Sequence, residues 1–590
     1  MPVGTVPVMP KDAADESPQS PCRSAPYYVS ALSVVGVVAA LARDAGGAYL
    51  IAESLALLLQ AASWAAWVYH LWVKRQVRRA GALSDAGLTV TGFLLGGLIA
   101  LWTGRFDALA ITMTSLIAGL LLVDFIAGFF ARLQARMDRP VELLRVALRP
   151  WGCLILITTI LLAIPLATHS GVPDYRHNFW LHIANSAFNA VSAASLVGTS
   201  TYDFGAEYAL FGQAVIVVTT QLAGFFFAAI GLAMARPFLK SEVRLGTVFK
   251  CIAAAQVVAI AFVWTSWHDA DVGGLVTRAG WGLTHVGSAI FNSGWTLRAD
   301  GMAAYFNEPR VYSVVALLSV AGSIGLPILI DLTRRGPVTK GNSGGAAPWK
   351  SVPQMEAAAA LILLVCLAGF IWVCEAPRFM PEKLVPRRPV DFGGDRVCLR
   401  DDMGHRQRWT MSVFISSTLR SAGLQSTPLS EGAMSWPTYF AMLGMMTLGG
   451  SVGGVAGGMR VSALLIPLLV LFSGRLGWAS RPGGMEARRC LLVGAARIAA
   501  VTLLLNVGGV LALSMSTDGT WYETIFDGVA AVGNVGLSTG LALHLTSAGR
   551  LAMMLCMVAG RLVPIIMWLN LAARLQRLVG EQPNPEPVIS

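Results

Sequence analysis

The sequence predicts an all-α polytopic membrane protein in which four copies of a helix, re-entrant segment, helix unit close around a pore. Three observations carry this. Apolar windows of about 20 residues, the length that crosses a ~30 Å hydrocarbon core, recur almost from end to end of the chain. Hydrophobic residues make up 55% of it and charged residues only 13%, a balance that excludes a soluble multidomain protein. Four times, a short run of small and polar residues containing a central glycine stands between two such windows: AASLVGTST around Gly198, AIFNSGWTL around Gly294, STLRSAGLQ around Gly423 and AVGNVGLST around Gly536. Hydrocarbon tolerates irregular backbone only where it is buried in protein or lines a wet cavity, so four interruptions point to one shared structure.

Residues 1–26, rich in Pro and Ser with mixed charge, read as a disordered cytoplasmic tail without a signal-peptide core. Residues 27–150 read as accessory transmembrane helices (27–42, 48–73, 88–103 and 107–131) followed by a basic amphipathic linker. Eight further spans flank the glycine segments: 151–168, 209–235, 245–267, 310–331, 354–374, 437–472, 488–514 and 550–573. They divide the chain into repeats at 151–240, 241–350, 351–480 and 481–578, with a short cytoplasmic tail at 579–590.

Basic residues fall on alternate connections, among them Arg78 and Arg79, Arg136 and Arg139, Lys240 and Arg244, Arg334 and Arg335, Arg488 and Arg489, and Arg574 and Arg577. Those connections are expected to face the cytoplasm, which places both termini inside an inner (plasma) membrane. The net charge of +11 is thereby explained by topology and anionic lipid, not by nucleic acid. The connection 375–408 breaks the pattern, and Cys374 and Cys398, which share it, could form a disulfide.

Each repeat contains a short helical run that unwinds toward its glycine, as in the stretch from Trp180 to about Ala194 before Gly198. A half-helix aimed at the midplane by its carboxyl end presents about half a negative charge, which favours a cation. Backbone carbonyls beyond it can replace an ion's water shell, and glycine permits the dihedrals that aim them inward. Any one glycine also fits an ordinary turn in an external loop; four in register argue against that. No two-histidine metal spacing, P-loop or nucleophile–base combination stands out, and the chain does not read as an enzyme or as the holder of an organic cofactor.

The runs FNAVSAASLVGTST, GSIGLPILIDL (Gly322–Leu332), LGGSVGGVAGGMRV (Leu448–Val461), VGLSTG (Val535–Gly540) and AGRLVP (Ala559–Pro564), in this order, resemble the Trk/Ktr/HKT superfamily of potassium and sodium translocating proteins, most closely its TrkH-like members. The resemblance covers roughly residues 151–573. It implies a single-chain pseudo-tetrameric pore for K+ or Na+, a homodimer, and gating by a cytoplasmic nucleotide-binding ring of the TrkA or KtrA kind. By it, the selectivity filter falls on Val197, Gly198, Thr199, Ser293, Gly294, Trp295, Ala422, Gly423, Leu424, Val535, Gly536 and Leu537, with K+ held by backbone carbonyls near the four glycines. A glycine in the first repeat favours potassium. The gate falls on an intramembrane loop, Gly449, Gly450, Gly453, Gly454, Gly457 and Gly458, together with Arg561.

Residues alone leave alternatives. Gly449, Gly453 and Gly457 also suit a closely packed continuous helix, and Arg561 could serve only to pair with a carboxylate or carbonyl in the bundle. Arg420, where relatives usually carry threonine, would repel a filter ion if it faced the axis, and is expected to turn back into the scaffold and pair with an external acid. Asp331 and Asp124 read as solvated groups at the cytoplasmic boundary. Asp174, Asp203, Glu207, Asp269, Asp271 and Asp300 could concentrate cations at the mouth. Two further readings stay open: a poorly conducting regulatory or scaffold paralogue, and a cation-coupled secondary transporter.

Overall fold

The computed structural model describes residues 140–164, 167–169, 179–266, 275–298, 301–305, 308–334, 352–376, 404–427, 429, 431–472 and 484–580. All belong to one compact unit, Arg136–Ser590. The four accessory spans expected before residue 132, Asp124 and the amino-terminal tail lie outside them.

The described residues are helical, without strands; an isolated bridge pairs Thr168 with Tyr208. In chain order the α-helices are α1 (Pro140–Ala163), α2 (Phe179–Ala194), α3 (Leu210–Ala235), α4 (Leu245–Val263), α5 (Leu275–Phe291), α6 (Pro309–Ile324), α7 (Leu326–Thr333), α8 (Val352–Cys374), α9 (His405–Thr418), α10 (Trp436–Leu448), α11 (Val461–Phe472), α12 (Gly484–Ser514), α13 (Trp521–Gly533) and α14 (Ser547–Gly580). Thus a longer helix, a shorter helix that unwinds, and a further helix follow one another four times. The all-α fold is the expected one.

Among the described residues five helices are long and apolar enough to cross a membrane: α3, α4, α8, α12 and α14, the first two with a short 3-10 extension. Their outer faces carry Val257, Val258, Leu361, Ile362, Leu504 and Val507, each more than half exposed. Apolar surface left open along whole helices is what contact with lipid requires, and it would be an aggregation hazard in water. The chain is a multi-pass membrane protein.

Two of the expected spans are broken: 310–331 against expectation, and 437–472 at the glycine run whose composition already disfavours a continuous helix. The first bends by 88° between α6 and α7 at Gly325, whose φ is +95°. The Gly453 carbonyl occupies the place a side chain at 325 would need, and Gly454 N would lie 2.5 Å from its Cβ, so only glycine fits. The second is interrupted by non-helical chain at 449–460.

Asp331 corrects another expectation. It is fully buried on α7, where its carboxylate accepts the backbone N–H groups of Lys240 (3.1 Å) and Ser241 (2.7 Å) and so ties the end of repeat 1 to repeat 2. Cys374 is buried with a free thiol; Cys398 lies outside the described residues.

Aromatic side chains join neighbouring repeats. Trp436 of α10 stacks on Trp521 of α13 with centroids 5.2 Å apart, and Tyr439 on Tyr522 at 4.3 Å. On the opposite side Phe204, after α2, meets Trp295, after α5, edge-on at 5.0 Å.

Candidate functional site

The four short helices α2, α5, α9 and α13 end at the glycine segments, and the same backbone device ends each. The residue two before the glycine is left-handed: Leu196 (φ 55°), Asn292 (52°), Ser421 (81°) and Asn534 (52°). The glycine is left-handed too, at Gly198 (95°), Gly294 (73°), Gly423 (62°) and Gly536 (85°). A left-handed L-residue costs about 1–2 kcal/mol, less for asparagine, so the conformation is held by its surroundings. Asn534 Nδ2 donates to Met557 O on α14 at 2.9 Å, and the Asn292 amide, in the orientation that satisfies its neighbours, donates to Ser319 O on α6 at 3.2 Å.

These turns bring the glycines into a ring. A Cβ on Gly294 would stand 2.7 Å from Val197 O and 3.5 Å from Ala422 O; one on Gly198 would lie 2.6 Å from the Gly294 Cα. One on Gly423 would run into Val535 O, and one on Gly536 into Val197 O, 3.5 Å from the Gly198 Cα. Each repeat therefore touches the next and the fourth returns to the first. The carbonyl oxygens of Val197, Ser293, Ala422 and Val535 all point into this ring, while the side chains of Val197 and Val535 are buried in the surrounding core. Those side chains consequently serve packing and leave the ring of oxygens to the backbone. Thr199, Trp295 and Leu424 are buried beside it, and Leu537 likewise.

Outside the ring a cavity of about 300 Å³ is lined by all four repeats, including Ser200, Thr296, Gln425 and Ser538. Two buried side chains at equivalent positions hold its rim. Asn189 Oδ1 accepts Ser200 Oγ–H and Thr201 N–H at 3.1 Å each. Asp527 accepts Ser538 Oγ–H and Thr539 N–H at 2.9 Å each. Of the acids expected at the mouth, Asp203 lines the cavity, but its Oδ1 is already engaged by Gly205 N–H (3.0 Å) and Ala206 N–H (3.1 Å). Glu207 accepts Asp203 N–H at 2.7 Å. Asp174, Asp269, Asp271 and Asp300 lie outside the described residues. Arg298 also lines the cavity, so its rim is of mixed charge.

Beneath the ring runs the non-helical stretch 449–460, which rules out the continuous-helix alternative; Gly449 (φ 61°) and Gly458 (φ 76°) are both left-handed. It contacts every repeat. Gly453 O would be 2.7 Å from a Cβ on Gly231 of α3. Ser451 N and Val455 N donate to Ser323 O (2.8 Å) and Gly322 O (3.1 Å) beside the α6/α7 break. Gly457 packs against Asn534, and Arg561 of α14 donates to Val455 O at 2.5 Å while its guanidinium lies 4.1 Å over the Phe227 ring. Arg561 thus does find a carbonyl partner, and that carbonyl belongs to the loop.

Arg420 does not reach an external acid. It is fully buried, its Nε donates to Gly449 O at 3.4 Å, and the carboxylate that faces it is Glu356 near the start of α8, the opposite end of that helix from Cys374. Glu356 also faces Arg460, whose Nη1 donates to Ser451 O (3.1 Å) and Gly454 O (3.0 Å), and it accepts Val452 N–H at 3.4 Å. The adjacent Ser421 hydroxyl donates to Asn534 O (2.7 Å) and accepts Gly457 N–H (2.9 Å). Residues 420 and 421, part of the third glycine segment, therefore hold the loop at Gly449 and at Gly457.

Sequence reasoning missed Glu356. The signal was an acid inside the apolar run that opens α8, of the kind that marks an intramembrane counter-ion. Two buried guanidinium groups, Arg420 and Arg460, face this buried carboxylate, and a third, Arg561, stands against Arg460. Glu356→Ala is expected to destabilise the protein by about 3–5 kcal/mol, because it leaves buried cations uncompensated; Glu356→Gln, which keeps the Val452 hydrogen bond, should cost less. Thermal unfolding in detergent measures both, and an alanine variant as stable as the parent contradicts the pairing.

Comparison with known proteins bears on the same regions. The family model described as TrkH, cation transport protein, matches residues 399–572. Ktr system potassium uptake protein B of Vibrio alginolyticus is 25% identical over 459 residues, 72% of this chain and 91% of that protein. Potassium/sodium uptake protein NtpJ of Enterococcus hirae is 24% identical over 485 residues, 78% of this chain and 98% of that protein. The crystal structure of the potassium transporter TrkH from Vibrio parahaemolyticus aligns with a TM-score of 0.47 at 14% identity, over 85% of this chain and 97% of that one. The family model thus falls on the third and fourth repeats, and these curated potassium and potassium/sodium uptake proteins are similar to the chain over more than two thirds of its sequence.

Proposed function

We propose that this protein takes up potassium through a gated, channel-like pore in the cell membrane, as a transporter and not an enzyme. The observation that carries the reading is the ring of carbonyl oxygens from Val197, Ser293, Ala422 and Val535 beside four left-handed glycines. Such oxygens can replace the hydration shell of a monovalent cation without any ionised side chain. The filter comprises these residues with Gly198, Gly294, Gly423 and Gly536, one segment from each of the repeats at 151–240, 241–350, 351–480 and 481–578. The relatives' names include both potassium and sodium; the glycine in the first repeat favours potassium.

The loop with Gly449, Gly450, Gly453, Gly454, Gly457 and Gly458 is the gate, and Arg561 is its latch. Opening requires the loop to leave Val455 O without its guanidinium donor and to release Gly449 and Gly457 from the third filter segment. The protein works as a homodimer with both termini in the cytoplasm, and a nucleotide-binding ring of the TrkA or KtrA kind is the partner that drives opening; the relatives' designation as parts of a Ktr system supports a partner subunit.

Expression in cells lacking potassium uptake tests this: growth on low potassium supports the reading, and failure of a correctly inserted, abundant protein to restore growth or to pass rubidium in proteoliposomes defeats it. The excess of buried positive charge under the filter favours one second reading, a poorly conducting scaffold. If Arg420→Thr conducts where the parent does not, the scaffold reading prevails.

A further inference from the structure

A second cavity, of about 210 Å³, lies between α12 and α14 at the end remote from the filter. Its polar lining is Arg497, Arg574 and Asn570, its walls include Met567 and Leu571, and no acidic side chain lines it. Both arginines are exposed. This surface takes no part in the pore, and nothing about what crosses the membrane bears on it.

Depth decides what such a groove faces. At ~1.5 Å per residue Arg497 stands about 26 Å along α12 from Ser514, and Arg574 about 40 Å along α14 from Ser547. The pair brackets the far edge of a ~30 Å hydrocarbon core. The two helices run in opposite directions, and helical side chains lean toward their own amino termini. Arg497 therefore reaches out toward the basic end while Arg574 reaches back, and both line one cavity. Along α12, Val493, Arg497, Ala500, Leu504, Val507 and Leu511 form one exposed stripe at helical spacing. A guanidinium at the interface, with an apolar track running from it into the bilayer, matches a phosphate headgroup and its acyl chain.

We propose that Arg497 and Arg574 bind the phosphate of an anionic phospholipid in the leaflet at the basic end of α12 and α14, with an acyl chain along the α12 stripe. Bound there, the lipid braces α14, the helix that carries Arg561.

The test uses the full-length protein, purified in detergent, stripped of lipid and titrated with phosphatidylglycerol, phosphatidylcholine or inorganic phosphate while retained adducts are counted by native mass spectrometry. Phosphatidylglycerol is expected to bind more tightly than phosphatidylcholine, and loss of each arginine to weaken it about fivefold. Arg497→Gln with Arg574→Gln should abolish the preference, and Arg497→Lys should retain part of it. Equal retention of both lipids, or an unchanged preference in the double variant, overturns the site. So does saturation by inorganic phosphate, which makes it a small-anion site. A change of oligomeric mass in the double variant also overturns it, because the groove then belongs to a second copy of the chain.

Discussion

Gly423→Ala is expected to abolish growth on low potassium and to reduce rubidium uptake in proteoliposomes by about tenfold or more. The left-handed φ of 62° alone costs an alanine about 1–2 kcal/mol, and the new methyl would run into the Val535 carbonyl oxygen. That oxygen is one of the four in the ring, so relief of the overlap displaces a proposed ion ligand. Gly369→Ala is the control: Gly369 lies in α8 with nothing within 4 Å of a built Cβ, and the exchange should gain about 1 kcal/mol of helix propensity. If both variants transport alike at equal abundance, the ring does not carry the ions.

Arg561→Gln should do the opposite and raise flux. The guanidinium donates to Val455 O and lies over Phe227, and a charge-assisted hydrogen bond of this kind is worth about 1.5–3 kcal/mol. Its loss falls on the closed loop, so the ratio of open to closed should rise about ten- to hundredfold. The readout is basal rubidium flux of the purified chain without a cytoplasmic partner. Unchanged or lower flux, with protein level and melting temperature preserved, removes Arg561 from the gate. Ser421→Ala separates gate from filter: it removes the bridge between Asn534 O and Gly457 N. By reciprocity of coupled equilibria, potassium in the filter and closure of the loop then influence each other less. Cysteine labelling of the loop at high and low potassium should differ in the parent and converge in this variant.

Much of the architecture was legible because lipid imposes coarse rules. Apolar length marked α3, α4, α8, α12 and α14, and the small, polar glycine runs marked the places where helices stop short. The Gly-Gly pairs of 449–458 already argued against an uninterrupted helix. The bend at Gly325 was not legible: GSIGLPILIDL is predominantly apolar up to Asp331, and the group that fills the space beside Gly325 is the Gly453 carbonyl, which comes from another repeat. Asp331 and Arg420 were misplaced for a similar reason. Asp331 looks solvated and Arg420 looks destined for an external acid because their actual partners, the Lys240 and Ser241 amides for one and the Gly449 carbonyl with Glu356 for the other, are distant in sequence.

By itself the sequence determined that the chain lives in a membrane, is built of helices and interrupts them at four glycines, because hydropathy, length and backbone freedom are local properties. Only the tertiary structure decided that those glycines form one closed ring, that Leu196 and Ser421 adopt the same left-handed turn as two asparagines, and that a single carboxylate faces two of the buried arginines beneath them. Left-handed backbone at a leucine and charge in hydrocarbon are both unfavourable locally; they persist because contacts from other parts of the chain outweigh the local cost.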